Sequence, residues 1–353
     1  MKLWFLLLIP SLAVALRAEE ATPAPQPDSP APETAPAEAA PWPMLSAKGL
    51  KQNVQSLLYA SKFAELDAMI AEINEKQLRF LDGDWKLLTF MDAASYPRDK
   101  DDTAGWKALF EHLKDWDQKS KSIFSTNAIA RTKLNYAYSI RTGAPSKDVT
   151  EDQWKTFNGG VERSLESYAE LLKVSHKCVD MYAQLLRIGL AQGWPPEKMQ
   201  ATLQAAISVA PDYYPCYQMV GYYTLESWYG KPGASHAFLD SIPSMVPGDR
   251  GLEIYTRTAI SLYPYYKLNF FGKDAAGCAD WTTMRRGFEA ILRSFPQSRW
   301  HRNLFAAYAC LAQDRTTART LLDEITAKDE LIAEAWTPAG GWEAGRKWIM
   351  ETP

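Results

Sequence analysis

The stretch from 225 to 233 holds the most unusual combination of residues in the chain. A carboxylate, Glu226, and two aromatic residues, Trp228 and Tyr229, enter a turn made of glycine and proline. A carboxylate beside aromatic rings suggests a carbohydrate site, in which two carboxylates would flank the glycosidic bond. Trp and Tyr at a helix end also serve as ordinary core or cap residues. The stretch is therefore a candidate ligand-binding corner, with a structural role as the alternative.

A second candidate lies at 247–257, where Pro-Gly-Asp-Arg-Gly leads into a predicted helix. Asp249 has the side chain of a helix N-cap, and that role accounts for it without any function. Arg257, further along the same helix, is able to pair with a carboxylate near the 226–233 corner. Together the two stretches supply six candidate binding residues: Glu226, Trp228, Tyr229, Asp249, Tyr255 and Arg257.

The sequence lacks the usual signatures of catalysis and of cofactor binding. It contains no G-x-S-x-G elbow, no P-loop and no G-x-G-x-x-G motif. His176 and Cys178 come nearest to a pair of metal ligands, but a third partner is missing. Glu226-Ser227 is shared with lytic transglycosylases, whose downstream Gly-Leu-Met-Gln element is absent. We therefore assign no catalytic residue, no metal and no cofactor, and we expect a protein that is not an enzyme.

The first 43 residues predict export from a bacterial cell. Residues 1–18 begin with Met1-Lys2, continue through an apolar run and end in small residues, as a signal peptide does. The apolar run of about 14 residues is shorter than the roughly 20 that span a bilayer, so we expect cleavage rather than a retained anchor. Residues 19–43 are rich in Ala, Pro and acids, which predicts a disordered linker. The expected location is the periplasm or the extracellular medium.

The composition of the chain supports a large hydrophobic core but not the binding of polyanions. The 353 residues are 46% hydrophobic, and 39 basic against 42 acidic side chains leave a net charge of −3. Such a balance provides no positive field for a phosphate backbone, so nucleic acid is not an expected partner. No membrane span is expected after the signal peptide is cleaved.

The spacing of apolar residues in the body predicts helices. From residue 45 onward they recur at intervals of three and four, and no alternating strand-like run occurs. Glycines and prolines divide the body into segments of about 10–18 residues, as expected of helices joined by short turns. We therefore predict an all-α fold over 44–353, with 143–150 as a turn between an N-terminal part (44–142) and a second part (151–353).

Within the second part, small and large residues recur at a period near that of tetratricopeptide hairpins. The pattern is visible in Leu203 and Ala206, in Tyr217, and again after Pro296. It predicts an α-solenoid of helical hairpins, of which 44–142 is a divergent cap. An ordinary helical bundle is the alternative.

Four cysteines in an exported chain permit two disulfide bonds. Residues at the start of one helix lie near the end of an antiparallel partner, and successive first helices of repeats pack side by side. This geometry predicts the bonds Cys178–Cys216 and Cys278–Cys310. Buried free thiols, which are common in helical cores, are the alternative.

Several short motifs resemble a bacterial family catalogued only as a domain of unknown function. The motifs are Gly83-Asp84-Trp85-Lys86-Leu87, Trp228-Tyr229-Gly230-x-Pro232-Gly233, Gly248-Asp249 with Tyr255 and Arg257, Asp280-Trp281-x-x-Met284, and Ala309-Cys310-Leu311-Ala312-x-Asp314-Arg315. The resemblance covers roughly 55–350 and departs at 264–277. It implies an exported tetratricopeptide-like protein and brings no catalytic residues.

These features together favour a scaffold that binds a protein or peptide partner in the cell envelope, because stacked hairpins form extended grooves. The alternative is a helical carbohydrate-binding protein or polysaccharide-acting enzyme, with Glu226 and Asp249 facing one another in a Trp-lined cleft. A further alternative is an assembly spacer that reaches out from a membrane complex.

Overall fold

The computed structural model describes residues 42–99, 103–144, 146–272 and 277–351. The predicted signal peptide and residues 19–41 of the predicted linker lie outside the described residues. The last two linker residues, Trp42 and Pro43, form a short 3-10 helix with Met44. Lys86 anchors this helix, because its Nζ donates a hydrogen bond of 2.7 Å to the Pro43 carbonyl.

The described chain is all-helical, as the apolar spacing predicts. It contains no strand, and one isolated β-bridge joins Arg79 to Trp85. The helices are α1 (Ala47–Tyr59), α2 (Phe63–Glu75), α3 (Lys86–Ser95), α4 (Thr103–Ser120), α5 (Ile123–Arg141), α6 (Glu151–Val174), α7 (Val179–Gln192), α8 (Pro196–Val209), α9 (Tyr214–Tyr223), α10 (Ala234–Met245), α11 (Asp249–Tyr266), α12 (Trp281–Ser294), α13 (Arg299–Leu311), α14 (Arg315–Ala327) and α15 (Trp342–Met350). Further 3-10 helices cover Ser146–Asp148, Lys267–Asn269 and Ala333–Ala339.

Local sequence sets the ends of these helices. Thr150 and Gln153 form a capping box at the start of α6. Asp280 and Asp314 cap α12 and α14, since each carboxylate accepts a hydrogen bond from a backbone N–H in the first turn. Gly193 ends α7 in the left-handed conformation that a glycine adopts without strain.

Consecutive helices pack as pairs, and α9 also contacts both α7 and α11. Helices α5 and α6 pack tightly against one another across the segment 143–150. A Cβ on Gly160 would lie 2.6 Å from the Ala137 Cβ, so the two helices approach as closely as glycine allows. Ser164 donates a 2.8 Å hydrogen bond to the Ala130 carbonyl at the same contact.

The small and large residues that suggest hairpin repeats lie inside this packing. Leu203, Ala206, Tyr217 and Val220 are buried, and so are the corresponding residues near the C-terminus: Phe305, Ala306, Ala318, Leu322 and Ile325. Among the described residues, no helix has the length and apolar character needed to cross a lipid bilayer.

The structure contains neither of the two disulfide bonds, Cys178–Cys216 and Cys278–Cys310, and they remain a prediction. Cys178, Cys216, Cys278 and Cys310 are all free and buried. Burial raises the pKa of the Cys178 and Cys310 thiols to about 12, and it also raises those of the other two. The thiolate is the species that forms disulfides, so burial itself opposes oxidation of the folded chain.

Candidate functional site

A cavity of about 880 Å³ opens between the start of α10, the start of α12 and the end of α13. This volume falls within the range of small-ligand sites. Its wall is formed by Gly233, His236, Asp240, Phe271, Gly272, Ala279, Asp280, Trp281, Thr283 and Ala312. Polar groups with aromatic rings beside them thus meet in one concavity, which makes it the candidate functional site.

One side of the cavity is a histidine–carboxylate pair on α10. His236 and Asp240 are one helical turn apart, and their Nε2 and Oδ2 atoms are separated by 3.2 Å. The other ring nitrogen of His236, Nδ1, lies 3.3 Å from the Cys278 carbonyl. The ring is therefore held between α10 and the segment before α12, while the Asp240 side chain remains 51% exposed.

The opposite side is the first turn of α12, where Asp280 and Trp281 are held in place. The Asp280 carboxylate accepts hydrogen bonds from the Thr283 backbone N–H and hydroxyl, at 2.7 and 2.8 Å. Its own backbone N–H donates to the Tyr255 hydroxyl at 2.7 Å. The Trp281 indole N–H donates to Asp314 at 3.1 Å. This side of the cavity is thus rigid before any ligand arrives.

Tyr255, one of the sequence candidates, supports this wall from inside the protein. Its side chain has no exposed surface. Burial raises its pKa, so the hydroxyl keeps its proton across the physiological range. We therefore assign Tyr255 a positioning role beneath Asp280 rather than direct contact with a ligand.

The 226–233 corner borders the cavity through Gly233. Glu226 lies exposed on the turn, and Trp228 is half-buried against the core. Tyr229 stacks on Tyr223 with a centroid distance of 5.0 Å. The two aromatic residues thus pack as the structural alternative predicted, while the turn that they stabilise leads into the cavity wall.

The other two candidates of the 247–257 stretch, Asp249 and Arg257, lie away from the cavity. Gly248 is the N-cap of α11 and Asp249 its first residue, so the predicted N-cap was displaced by one position. The Asp249 carboxylate pairs with Arg293 at 2.8 Å, and both side chains are more than half exposed. The predicted pairing of Arg257 with a carboxylate near the corner was wrong. Its guanidinium instead binds Asp84, at 2.8 Å.

Arg257 belongs to a second polar cluster around the turn at 80–84. Its Nη1 donates to the Asp84 carboxylate and its Nη2 donates to the Asp82 carbonyl, at 2.9 Å. Tyr214, at the start of α9, donates to the same Asp84 oxygen at 3.1 Å. The cluster therefore joins the segment between α2 and α3 to α9 and α11.

Two further contacts complete this second cluster. Arg79 pairs with Asp212 at 2.9 Å, and its guanidinium lies over the Trp85 ring. The Trp85 indole N–H donates to the Asp212 carbonyl at 3.2 Å. Burial, and after it the neighbouring Asp84, raises the pKa of Asp82. These ion pairs and hydrogen bonds connect segments that are distant in the chain, which is the arrangement expected of a structural contact.

In the described part of the chain, no group of three or more His, Cys, Asp or Glu side chains is placed to hold a metal ion. Sequence reasoning missed His236, Asp240, Asp280 and Trp281 as cavity residues. The spacing of His236 and Asp240 on a predicted helix indicated that the two side chains could pair, but such a spacing is too common to identify a site. The opposite wall comes from 40 residues further along, and only the packing of α10, α11 and α12 brings the two together.

A scan against protein-family models found no match for this chain, and a search of the curated proteins found none either. The resemblance to a family of unknown function thus gains no support from a family model. The structure does join several of the motifs on which it rests. Asp84 contacts Arg257, Tyr255 contacts Asp280, and Trp281 contacts Asp314.

Proposed function

We propose that this protein is an exported helical-repeat scaffold that binds a peptide segment of a protein in the cell envelope. The observation that carries the proposal is the 880 Å³ cavity between α10, α12 and α13, with its mixture of carboxylates, an imidazole and aromatic rings. Peptide sites typically combine polar groups that bind main chain or charged side chains with apolar pockets for anchors.

Export and the repeat architecture belong to the same proposal. The first 18 residues have the composition of a signal peptide, so the proposed location is the periplasm or the extracellular medium. The paired packing of successive helices, and the contacts of α9 with α7 and α11, are the kind of neighbour relationships expected of an α-solenoid.

The test is selection of random 12-residue peptides by phage display against the purified protein and against a variant whose cavity is filled. Ala312 lies half-buried on the cavity wall, and Ala312→Trp places an indole there. Ala71→Trp, on the exposed surface of α2, is the matched control. The proposal predicts peptides that bind the wild-type protein and the Ala71 variant but bind the Ala312 variant at least about tenfold more weakly. If no peptide is enriched, or if the Ala312 variant binds as the wild type does, the proposal is wrong.

A second candidate function is the binding of an envelope or extracellular polysaccharide. Trp281 and the carboxylates of Asp240 and Asp280 in one cavity favour it, since sugars stack on aromatic rings and bind carboxylates through their hydroxyls. In this function Asp240 and Asp280 take the place of Glu226 and Asp249, the two carboxylates expected from the sequence. Binding to a glycan array that is lost in Ala312→Trp, without any peptide enrichment, would establish this function instead.

A further inference from the structure

We infer that the cavity selects peptides by a basic side chain, lysine or arginine, which Asp240 and Asp280 bind against the rings of Trp281 and Phe271. This inference rests on the proposed function, because it names the chemistry of the segment that the same cavity would accept. Charge, aromatic geometry and preorganisation support it independently.

The charge of the described part of the cavity wall favours a cation. Asp240 and Asp280 supply two carboxylates, whereas the described lining residues include no Lys or Arg and only one ionisable base, His236. The first turns of α10 and α12 each add about half a positive charge. The Asp280 carboxylate already caps α12. The two full negative charges of Asp240 and Asp280 nevertheless outweigh the partial positive charges at the starts of α10 and α12.

The nearest basic side chain on α12 does not change this balance. Arg285 is bound to Glu289 at 3.2 Å and lies 3.5 Å from Asp314. Its charge is therefore opposed by two carboxylates outside the cavity lining. A ligand that carries its own positive charge remains the complementary partner for Asp240 and Asp280.

The aromatic rings on the wall suit the same ligand. Phe271 and Trp281 meet edge to face, with centroids 5.4 Å apart. Both residues line the cavity, and both are only partly buried. A guanidinium or ammonium group gains energy over the face of such rings, most of all over Trp. Lysine and arginine stems are also apolar enough to pack along them.

The groups that would bind the cation are held in place beforehand. Trp281 is fixed by its hydrogen bond to Asp314, and Asp280 by Thr283. Asp240 is held by His236 yet keeps about half of its side chain exposed, so one face of the carboxylate remains open to a ligand. Preorganised groups lose little entropy on binding.

The test uses the most strongly enriched peptide from the phage selection, synthesised with its basic residue intact or replaced by glutamine or glutamate. Affinities are measured for the wild-type protein and for Asp240→Asn. Asp323→Asn, an exposed carboxylate on α14, is the matched control for loss of one charge. A second variant, Asp280→Asn, keeps a side chain that caps helices while removing the second charge.

The inference predicts that most enriched peptides contain Lys or Arg and that the glutamine peptide binds about tenfold more weakly. Asp240→Asn and Asp280→Asn should weaken the binding of the basic peptide by a similar factor and leave the affinity for the glutamine peptide unchanged. Asp323→Asn should change neither affinity. Binding of the basic peptide should also weaken as salt is added.

Two results would separate the inference from the function on which it rests. If peptides are enriched and Ala312→Trp abolishes their binding, but basic and neutral versions bind equally, the charge selection is wrong and the binding function stands. If no peptide is enriched at all, both are wrong. Because Asp240 is about half exposed, we expect its Asn variant to fold, and a far-UV circular dichroism melt would verify this before binding is measured.

Discussion

Asp84 and Arg257 are 173 residues apart in the chain and form an ion pair of 2.8 Å. The pair fastens the turn between α2 and α3 to the middle of α11. Arg257 is almost completely buried, with 7% of its side chain exposed, whereas Asp84 retains 34%. A buried guanidinium without its carboxylate is costly, so this contact makes the turn at 80–84 and helix α11 depend on one another for stability.

The first prediction concerns this pair. Arg257→Ala should lower the free energy of unfolding by about 2–3 kcal/mol, since it removes the pair and the hydrogen bond to the Asp82 carbonyl. Arg293→Ala, which breaks the exposed pair with Asp249, should cost less than about 1 kcal/mol. Urea titrations of both variants measure the difference. Equal losses would show that the Asp84–Arg257 contact is no stronger than a surface pair.

The second prediction concerns Gly83, which lies beside this pair with φ of +84°. A Cβ there would lie 2.5 Å from both Arg257 Nη2 and the Phe295 ring. Gly83→Ala should therefore cost at least about 2 kcal/mol from overpacking and backbone strain together. Gly340 has a similar φ of +80°, but a Cβ there meets only Ala344, at 3.6 Å.

Gly340→Ala is thus the control for backbone strain alone and should cost about 1 kcal/mol. Thermal and urea unfolding of the two variants would separate the strain from the crowding. If Gly83→Ala is no worse than Gly340→Ala, the turn at 80–84 adjusts freely and is not tightly docked on α11 and α12.

The third prediction concerns pH. His301 is buried, and its Nδ1 lies 2.8 Å from the Ser298 hydroxyl. Burial, and after it the charge of Arg257, lowers the pKa of His301 well below 6.5. Below pH 6.5 the unfolded chain takes up a proton that the folded chain does not. Stability should therefore fall as the pH is lowered below 6.5, by at most about 1.6 kcal/mol between pH 6.5 and 5 from this residue alone.

His301→Gln removes this contribution and keeps a polar side chain. The difference in unfolding free energy between wild type and variant should shrink as the pH falls from 7.5 to 5. Asp82 and Glu253, whose pKa values burial raises, act in the opposite direction. Their effect is present in both proteins and cancels in the comparison. A difference that stays constant with pH would show that His301 takes up its proton at the same pH in the folded and unfolded chains, and would contradict the lowered pKa.

The fourth prediction concerns the cysteines. Because all four thiols are buried and the pKa of each is raised, they should react slowly with a thiol reagent in the folded protein. All four should react at once in guanidinium chloride. Mass spectrometry of a non-reduced digest that recovered Cys178 linked to Cys216, or Cys278 linked to Cys310, would contradict the free thiols and confirm the disulfide bonds predicted from sequence.

The helices of the fold and their ends could be predicted from the sequence. Apolar residues at helical spacing identified the all-α body, and the cap residues Thr150, Asp280 and Asp314 lie where helices begin. Asp249 shows the limit of such local evidence. Its side chain suits an N-cap, but the backbone places Gly248 in that position, and Arg293 from another helix binds the carboxylate.

Sequence alone determined the secondary structure and the buried face of each segment, because both depend mainly on residue types within a few turns. Tertiary structure decided which segments meet. It paired Arg257 with Asp84 rather than with the corner at 226–233, and it formed a cavity from His236 and Trp281. Contacts across 40 to 173 residues depend on how helices pack, and many arrangements of the same helices are compatible with one pattern of apolar residues.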